Sequence, residues 1–163
     1  MKTNRFLVYA ALVILVAGGA IWYKIDDYYS RQQNETVSAS ATEVVMYKNP
    51  GCQCCDKWAD YMEGYGFKVS TVASQEDLYA AKQSEGIPQN MGSCHTALIG
   101  DYVVEGHVPV QDIQRFLSER PDAAGLVVPG MPASSPGMNT ALNQPYKVYL
   151  LHNDGSTEVY AQH

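Results

Sequence analysis

The feature that most constrains this chain is a cluster of three cysteines within residues 52–55, which read Cys-Gln-Cys-Cys. The cluster follows a short apolar run and the turn-forming triplet Asn-Pro-Gly at 49–51, so we expect it to lie between a strand and a helix. The fourth cysteine, Cys94, lies much further along the chain, beside His95. Thiols placed this closely can form disulfides, exchange electrons or bind a soft metal ion, and the function depends on which of these applies.

The N-terminal segment has the pattern of an export signal or a membrane anchor. Lys2 and Arg5 precede an apolar run from Phe6 to Tyr23, which is about the length that crosses a bilayer. Small residues at 17–20 would suit a signal peptidase, but the apolar run continues into Trp22 and Tyr23, which are typical of a membrane interface, so we favour an uncleaved anchor.

This pattern predicts three parts: a signal peptide or membrane anchor at 1–24, a flexible polar linker at 25–42, and a folded domain at 43–163. The positively charged end would remain in the cytoplasm and the domain would be exported. In a Gram-negative cell, the domain would face the periplasm, tethered to the inner membrane.

Charge and motif content exclude several functions. The chain has a formal net charge of −6 and no cluster of basic residues, so it is not expected to bind nucleic acid. Its carboxylates are scattered, and no Ser/His/Asp arrangement or phosphate-binding glycine loop indicates hydrolytic or nucleotide chemistry.

The order of elements after residue 43 predicts an α/β, thioredoxin-like domain: β-α-β, a helix, a β-hairpin and a third helix. Strands are predicted at 44–47, 67–72, 96–99 and 102–107, and helices begin near residues 55, 74 and 109. A C-terminal β-hairpin extension should follow, because Asn153-Asp154-Gly155 is a strong turn signal between two strand-like runs. The predicted buried face of the first helix is Cys55, Trp58, Ala59, Met62 and Tyr65.

In such a domain, the loop between the first strand and the first helix lies close to the segment that enters the hairpin. Residues 93–95, which read Ser-Cys-His, should therefore face the cysteines of residues 52–55. This expectation depends on the predicted topology.

Three chemistries remain open for the cysteines. Export would allow structural disulfides, but three crowded thiols suit that role poorly. The C-x-x-C spacing of Cys52 and Cys55 at the start of a helix is typical of thiol-disulfide oxidoreductases, although Cys54 would offer a competing partner. Metal binding accounts for more of the residues, because thiolate and thioether are the ligands that select Cu(I), with structural zinc as the rival metal.

The candidate metal ligands combine sulfur and imidazole. Imidazole suits either oxidation state of copper, and neighbouring thiolates can bridge several ions, so more than one Cu(I) per chain and exchange between Cu(I) and Cu(II) are chemically feasible. His152 and His163 are expected to play no part, the latter as a loose terminus. The ligand set is Cys52, Cys54, Cys55, Cys94, His95, His107, Met131 and Met138.

Four sequence elements in order resemble the CopG-type family of exported copper-binding proteins. They are Asn-Pro-Gly-Cys-Gln-Cys-Cys at 49–55, Ser-Cys-His-Thr at 93–96, Glu-Gly-His-Val-Pro at 105–109, and Pro-Gly-Met-Pro with Ser-Pro-Gly-Met between 129 and 138. The resemblance extends from about residue 43 to residue 139.

The resemblance implies a thioredoxin-like fold, copper bound at the C-x-C-C site, and a role in copper resistance or homeostasis. It carries ligand roles onto Cys52, Cys54, Cys55, Cys94 and His107. The partners expected are copper ions, copper-efflux or other periplasmic copper-handling proteins, and the membrane through the N-terminal segment. The alternative is a periplasmic thiol-disulfide oxidoreductase that uses Cys52 and Cys55.

Overall fold

The computed structural model describes residues 21–25, 42–138 and 140–163. Residues 21–25 are helical and exposed, and the rest of the predicted anchor and nearly all of the predicted linker lie outside the described residues. Within the described ranges, no helix combines the length and apolar character needed to span a bilayer. Residues Thr42–His163 form one compact unit.

This unit is a mixed α/β structure with seven strands in one sheet, in the order β2-β1-β3-β4-β5-β6-β7. Strands β1 and β2 are parallel, as are β4 and β5, and the remaining neighbours are antiparallel. The strands are β1 (Glu43–Lys48), β2 (Lys68–Ala73), β3 (His95–Ile99), β4 (Tyr102–Glu105), β5 (Gly125–Val127), β6 (Lys147–Leu151) and β7 (Thr157–Gln162). The helices are α1 (Gln53–Gly64), α2 (Gln75–Ser84) and α3 (Val110–Glu119), with a 3-10 turn at Gln89–Met91.

Helix α1 buries one face against the sheet, as its apolar spacing predicts. Cys55, Trp58 and Met62 are fully buried, and the Trp58 indole donates a hydrogen bond to the Val108 carbonyl at 3.0 Å. Truncating a buried Trp to Ala typically costs about 3–5 kcal/mol, so this face contributes much of the core's stability. The prediction for Tyr65 is wrong, because the helix ends at Gly64 and Tyr65 is half exposed as its C-cap.

The other two helices begin where their signals predict. The Ser74 hydroxyl accepts a hydrogen bond from the Asp77 amide at 3.2 Å and caps α2, an interaction typically worth about 1 kcal/mol. Helix α3 begins directly after Pro109, buries Ile113 and Phe116, and ends at Glu119, with Arg120 as its C-cap.

The C-terminal part contains one expected feature and two that were not expected. Strands β6 and β7 form the hairpin around Asn153-Asp154-Gly155. Strand β5 was not predicted, because three apolar residues before a proline-rich loop are too short to indicate a strand; it extends the sheet parallel to β4. The expectation that His163 is a loose terminus is wrong, because its Nε2 lies 2.6 Å from the Asp112 carboxylate and its ring stacks on Tyr146.

The pairing of β1 with β3 decides where the site lies. The two strands are antiparallel, and Lys48 at the end of β1 is opposite His95 at the start of β3. The loop that leaves β1 and the segment that enters β3 therefore meet at the same end of the sheet.

Candidate metal centre

Three of the cysteines occupy the first turn of α1. The chain turns at Gly51, which has a positive φ of 74°, and Cys52 precedes the first helical residue. Cys54 and Cys55 follow within that turn, where the free amide groups and the helix dipole favour anionic sulfur. Cys52 and Cys55 are joined by a disulfide, and the Cys54 sulfur lies 3.4 Å from that of Cys52.

Cys94 completes a cluster of four sulfurs. Its Sγ lies 3.2 Å from that of Cys55 and 3.9 Å from that of Cys54. All four Sγ atoms lie within 4.8 Å of one another. The structure thus confirms that the start of β3 faces the cysteine loop.

Two histidines extend the cluster on the side of Cys94. The Cys94 sulfur is 3.1 Å from His107 Nε2 and 3.7 Å from His95 Nδ1, and the two imidazole rings are 4.9 Å apart. Cys94, His95 and His107 form a second group of ligand atoms within 4.8 Å, so Cys94 belongs to both groups.

A loop from residue 129 to 138 lies against this cluster. His107 Nδ1 is 2.8 Å from the Pro136 carbonyl, and since a carbonyl only accepts, Nδ1 must carry the proton. The Nε2 lone pair of His107 therefore faces Cys94. The next residue, Gly137, has a φ of 87°, and a Cβ there would clash with the Cys54 carbonyl and the Trp58 amide, so only glycine allows this approach.

His95 is fully buried, and among the described residues its Nε2 has no hydrogen-bond partner. Its ring packs 4.6 Å from the Trp58 ring. An unpartnered buried polar atom typically costs about 1–3 kcal/mol. The nitrogen of His95 that lies near the thiols is Nδ1, 3.7 Å from the Cys94 sulfur, and this contact fits the imidazole into the donor set.

The surroundings set the protonation states of these groups. Burial raises the pKa of Cys94 to about 12, and the neighbouring Cys54 adds to the effect. Burial also lowers the pKa of His95 well below its usual value, assisted by His107 and Lys82, and lowers that of His107 against the opposing effect of Pro136. Both imidazoles are therefore neutral at pH 7, the form in which histidine binds metals, and Cys94 must lose a proton to do so.

Sequence reasoning did not identify Lys48 as part of this region. Its side chain is almost fully buried, donates a hydrogen bond to the Cys52 carbonyl at 3.2 Å and forms an ion pair with Asp56. Lys48 thereby ties the end of β1 to the start of α1. The alternation of β1 predicts which face of the sheet Lys48 occupies. It does not predict the contacts of Lys48 with Cys52 and Asp56, because these residues lie outside the strand, in the following loop and helix.

The two candidate methionines have different positions. Met131 is 54% exposed, whereas Met138 is partly buried and directly follows Gly137, which packs on α1. Their roles as ligands stay predictions.

The arrangement supports two kinds of chemistry. With Cys52 and Cys55 reduced, it offers four sulfurs and two neutral imidazoles to a soft metal ion. With the disulfide present, it holds a C-x-x-C disulfide beside two free thiols, Cys54 and Cys94, which suits thiol-disulfide exchange.

Comparison with known proteins places this arrangement in a family. A family model described as "Protein of unknown function, DUF411" matches residues 91–138, which include Cys94, both site histidines and both loop methionines. No match was found among functionally curated proteins.

Two solved structures are similar over almost their full length. "Copper resistance protein copG", Form 1, is 39% identical with a TM-score of 0.71, and the match covers 76% of this chain and 98% of that one. Form 2 is 40% identical with a TM-score of 0.70, over 76% and 99% of the two chains. The chain therefore belongs to the CopG family of copper resistance proteins.

Proposed function

We propose that this protein binds copper as Cu(I) through the reduced sulfurs of Cys52, Cys54, Cys55 and Cys94 and acts in copper resistance or homeostasis. The observation that carries the proposal is the convergence of all four sulfurs within 4.8 Å. Thiolates select Cu(I) over harder cations, and the similar solved proteins are titled copper resistance proteins.

The imidazoles of His95 and His107 complete this site, and Met138 and Met131 are proposed as weaker thioether ligands. Because Cys94 belongs to both the thiol group and the histidine group, the proposal includes a bridging role for its thiolate and more than one copper ion per chain. Imidazole also suits Cu(II), so the proposal extends to interconversion of Cu(I) and Cu(II), in which each copper ion exchanges one electron with an external redox partner.

The proposed setting follows from the N-terminal pattern and the element order. We propose that the domain has a thioredoxin-like architecture and is tethered to the inner membrane, facing the periplasm. Copper-efflux or other periplasmic copper-handling proteins would then be its partners.

Anaerobic titration of the reduced full chain with Cu(I), in competition with a chromophoric Cu(I) chelator, tests the proposal. We expect the chain to withdraw Cu(I) from the chelator, and the chain with its Cys52–Cys55 disulfide intact to bind far more weakly. The oxidised chain is a matched control because its sequence is identical. Binding that is absent, or unchanged in a Cys54→Ala and Cys55→Ala double variant, would contradict the assignment.

The disulfide between Cys52 and Cys55 favours a second candidate function, thiol-disulfide exchange. This function requires the metal-free, reduced chain to turn over a disulfide substrate. Turnover that persists in Cys54→Ala, together with weak copper binding, would favour this candidate over the first.

A further inference from the structure

A fully buried carboxylate lies next to the metal centre without contributing a ligand atom to it. Glu105, the last residue of β4, is 0% exposed. Its Oε1 accepts a hydrogen bond from the Ser93 amide at 2.5 Å and forms an ion pair with Lys82, and its Oε2 accepts from the Thr96 hydroxyl at 2.6 Å. A buried carboxylate is costly unless it is paired and hydrogen-bonded, and this one is both.

The partners of Glu105 bracket two proposed ligands. Ser93 immediately precedes Cys94, and Thr96 immediately follows His95. One carboxylate therefore holds the chain on both sides of the Cys94-His95 pair. Lys82 reinforces the arrangement, since its ammonium also donates to the Thr96 hydroxyl at 3.1 Å.

Further hydrogen bonds connect this network to the loop at 129–138 and to the segment that carries His107. The Ser93 hydroxyl donates to the Gly130 carbonyl at 2.5 Å, and the Gly106 amide donates to the His95 carbonyl at 3.0 Å. A Cβ at Gly106 would clash with Ser93 and with the Val128 carbonyl, so the chain between Glu105 and His107 is packed tightly against the segment before Cys94.

We propose that Glu105, neutralised by Lys82, is the positioning residue that fixes Cys94 and His95 for metal binding. The inference rests on the proposed function in treating Cys94 and His95 as metal ligands, but the positioning of Cys94 can be measured without metal. Groups around metal ligands commonly govern affinity in this way, and their loss typically costs about 10–100-fold.

The test compares Glu105→Ala and Glu105→Gln with the wild type in the full chain. The first readout is the rate at which iodoacetamide alkylates Cys94 in the reduced, metal-free protein, measured by mass spectrometry. The second is Cu(I) affinity by chelator competition. We expect Glu105→Ala to raise the Cys94 alkylation rate several-fold and to weaken Cu(I) binding about tenfold. Glu105→Gln should give an alkylation rate and a Cu(I) affinity between those of the wild type and Glu105→Ala, because its amide oxygen can still accept a hydrogen bond from the Ser93 amide.

Asp112→Asn is the matched control. Asp112, on α3, is also a buried carboxylate, 5% exposed, but it pairs with Arg115 of the same helix and with the C-terminal residue His163. Thermal unfolding shows how much stability each variant loses, and we expect Asp112→Asn to leave Cys94 alkylation and Cu(I) affinity unchanged. Thr96→Val, which removes the two hydrogen bonds that the Thr96 hydroxyl makes with Glu105 and Lys82 without changing the charge of the network, replaces Glu105→Ala if that variant does not fold.

The outcomes separate the inference from the proposed function. Wild-type alkylation rates in Glu105→Ala, or in Thr96→Val, would overturn the inference, as would an equal change in Asp112→Asn. Faster Cys94 alkylation in a chain that binds no copper would support the positioning role and refute the copper site.

Discussion

The two halves of the proposed metal centre are built in different ways. The helix half comprises Cys52, Cys54 and Cys55, which lie within one turn at the start of α1. The strand half comprises Cys94, His95 and His107, which come from the start of β3 and the segment after β4, and both of its histidines are fully buried.

Because of this difference, the helix half responds to redox conditions and the strand half responds to pH. The helix half changes covalent state, because the disulfide between Cys52 and Cys55 removes two sulfurs from metal binding. The strand half responds to protons, because burial favours neutral imidazoles at His95 and His107 and a protonated thiol at Cys94. Copper binding should require reduction of the first half and loss of a proton from the second.

The largest expected effect comes from Cys94, where the halves meet. Its sulfur lies 3.2 Å from that of Cys55 and 3.1 Å from His107 Nε2. Loss of a residue that only supports a metal ligand typically weakens binding by up to about 100-fold. Cys94→Ala removes a proposed ligand itself, so it should weaken Cu(I) binding by more than this, measured by chelator competition. A Cys94→Ala chain that binds copper as the wild type does would show that the helix half acts alone.

A smaller effect is expected from the imidazoles. His107→Ala should weaken Cu(I) binding about tenfold, at the low end of the range for groups that tune metal sites, because the four sulfurs remain. His152→Ala is the control, since His152 lies next to the terminal turn and pairs with Glu158. Equal affinities for the two variants would remove His107 from the site.

The pH dependence of stability tests the strand half without metal. Burial lowers the pKa of His95 and His107 from 6.5, so the unfolded chain binds more protons than the folded one below that pH. The contribution of the two neutral histidines to the free energy of unfolding should therefore be complete above pH 6.5. It should be lost as the pH falls below 6.5, by up to about 1.4 kcal/mol per pH unit for each histidine. Urea denaturation between neutral and mildly acidic pH measures this. A His95→Gln variant should show a shallower fall, and the same slope in both proteins would count against a buried neutral His95.

The smallest effect is expected from the loop methionines. Met131 is 54% exposed, so Met131→Leu should lower Cu(I) affinity less than Met138→Leu, and both less than His107→Ala. The same chelator competition ranks the three variants. A larger loss in Met131→Leu than in Met138→Leu would mean that the loop closes over the site when copper binds.

Much of the site could be predicted because its halves carry local signals. The turn at 49–51 and the apolar spacing of α1 predict where the helix half lies. The hairpin after Cys94 predicts that β3 returns beside β1, which brings Cys94 to Cys55. These inferences need only periodicity and the order of elements.

The groups that support the site could not be predicted, because they act through contacts between distant segments. Nothing near Glu105 in sequence indicates that it accepts a hydrogen bond from Ser93, and nothing near Pro136 indicates that its carbonyl fixes the His107 tautomer. The docking of His163 on Asp112 was missed for the same reason.

Copper X-ray absorption on the reduced full chain, loaded anaerobically with Cu(I), tests the central claim most directly, because it identifies the atoms bound to the metal. The account predicts sulfur as the dominant neighbour, with the sulfur contribution falling in the Cys54→Ala and Cys55→Ala double variant. A first coordination shell of nitrogen or oxygen alone, or a spectrum unchanged in that variant, would contradict it.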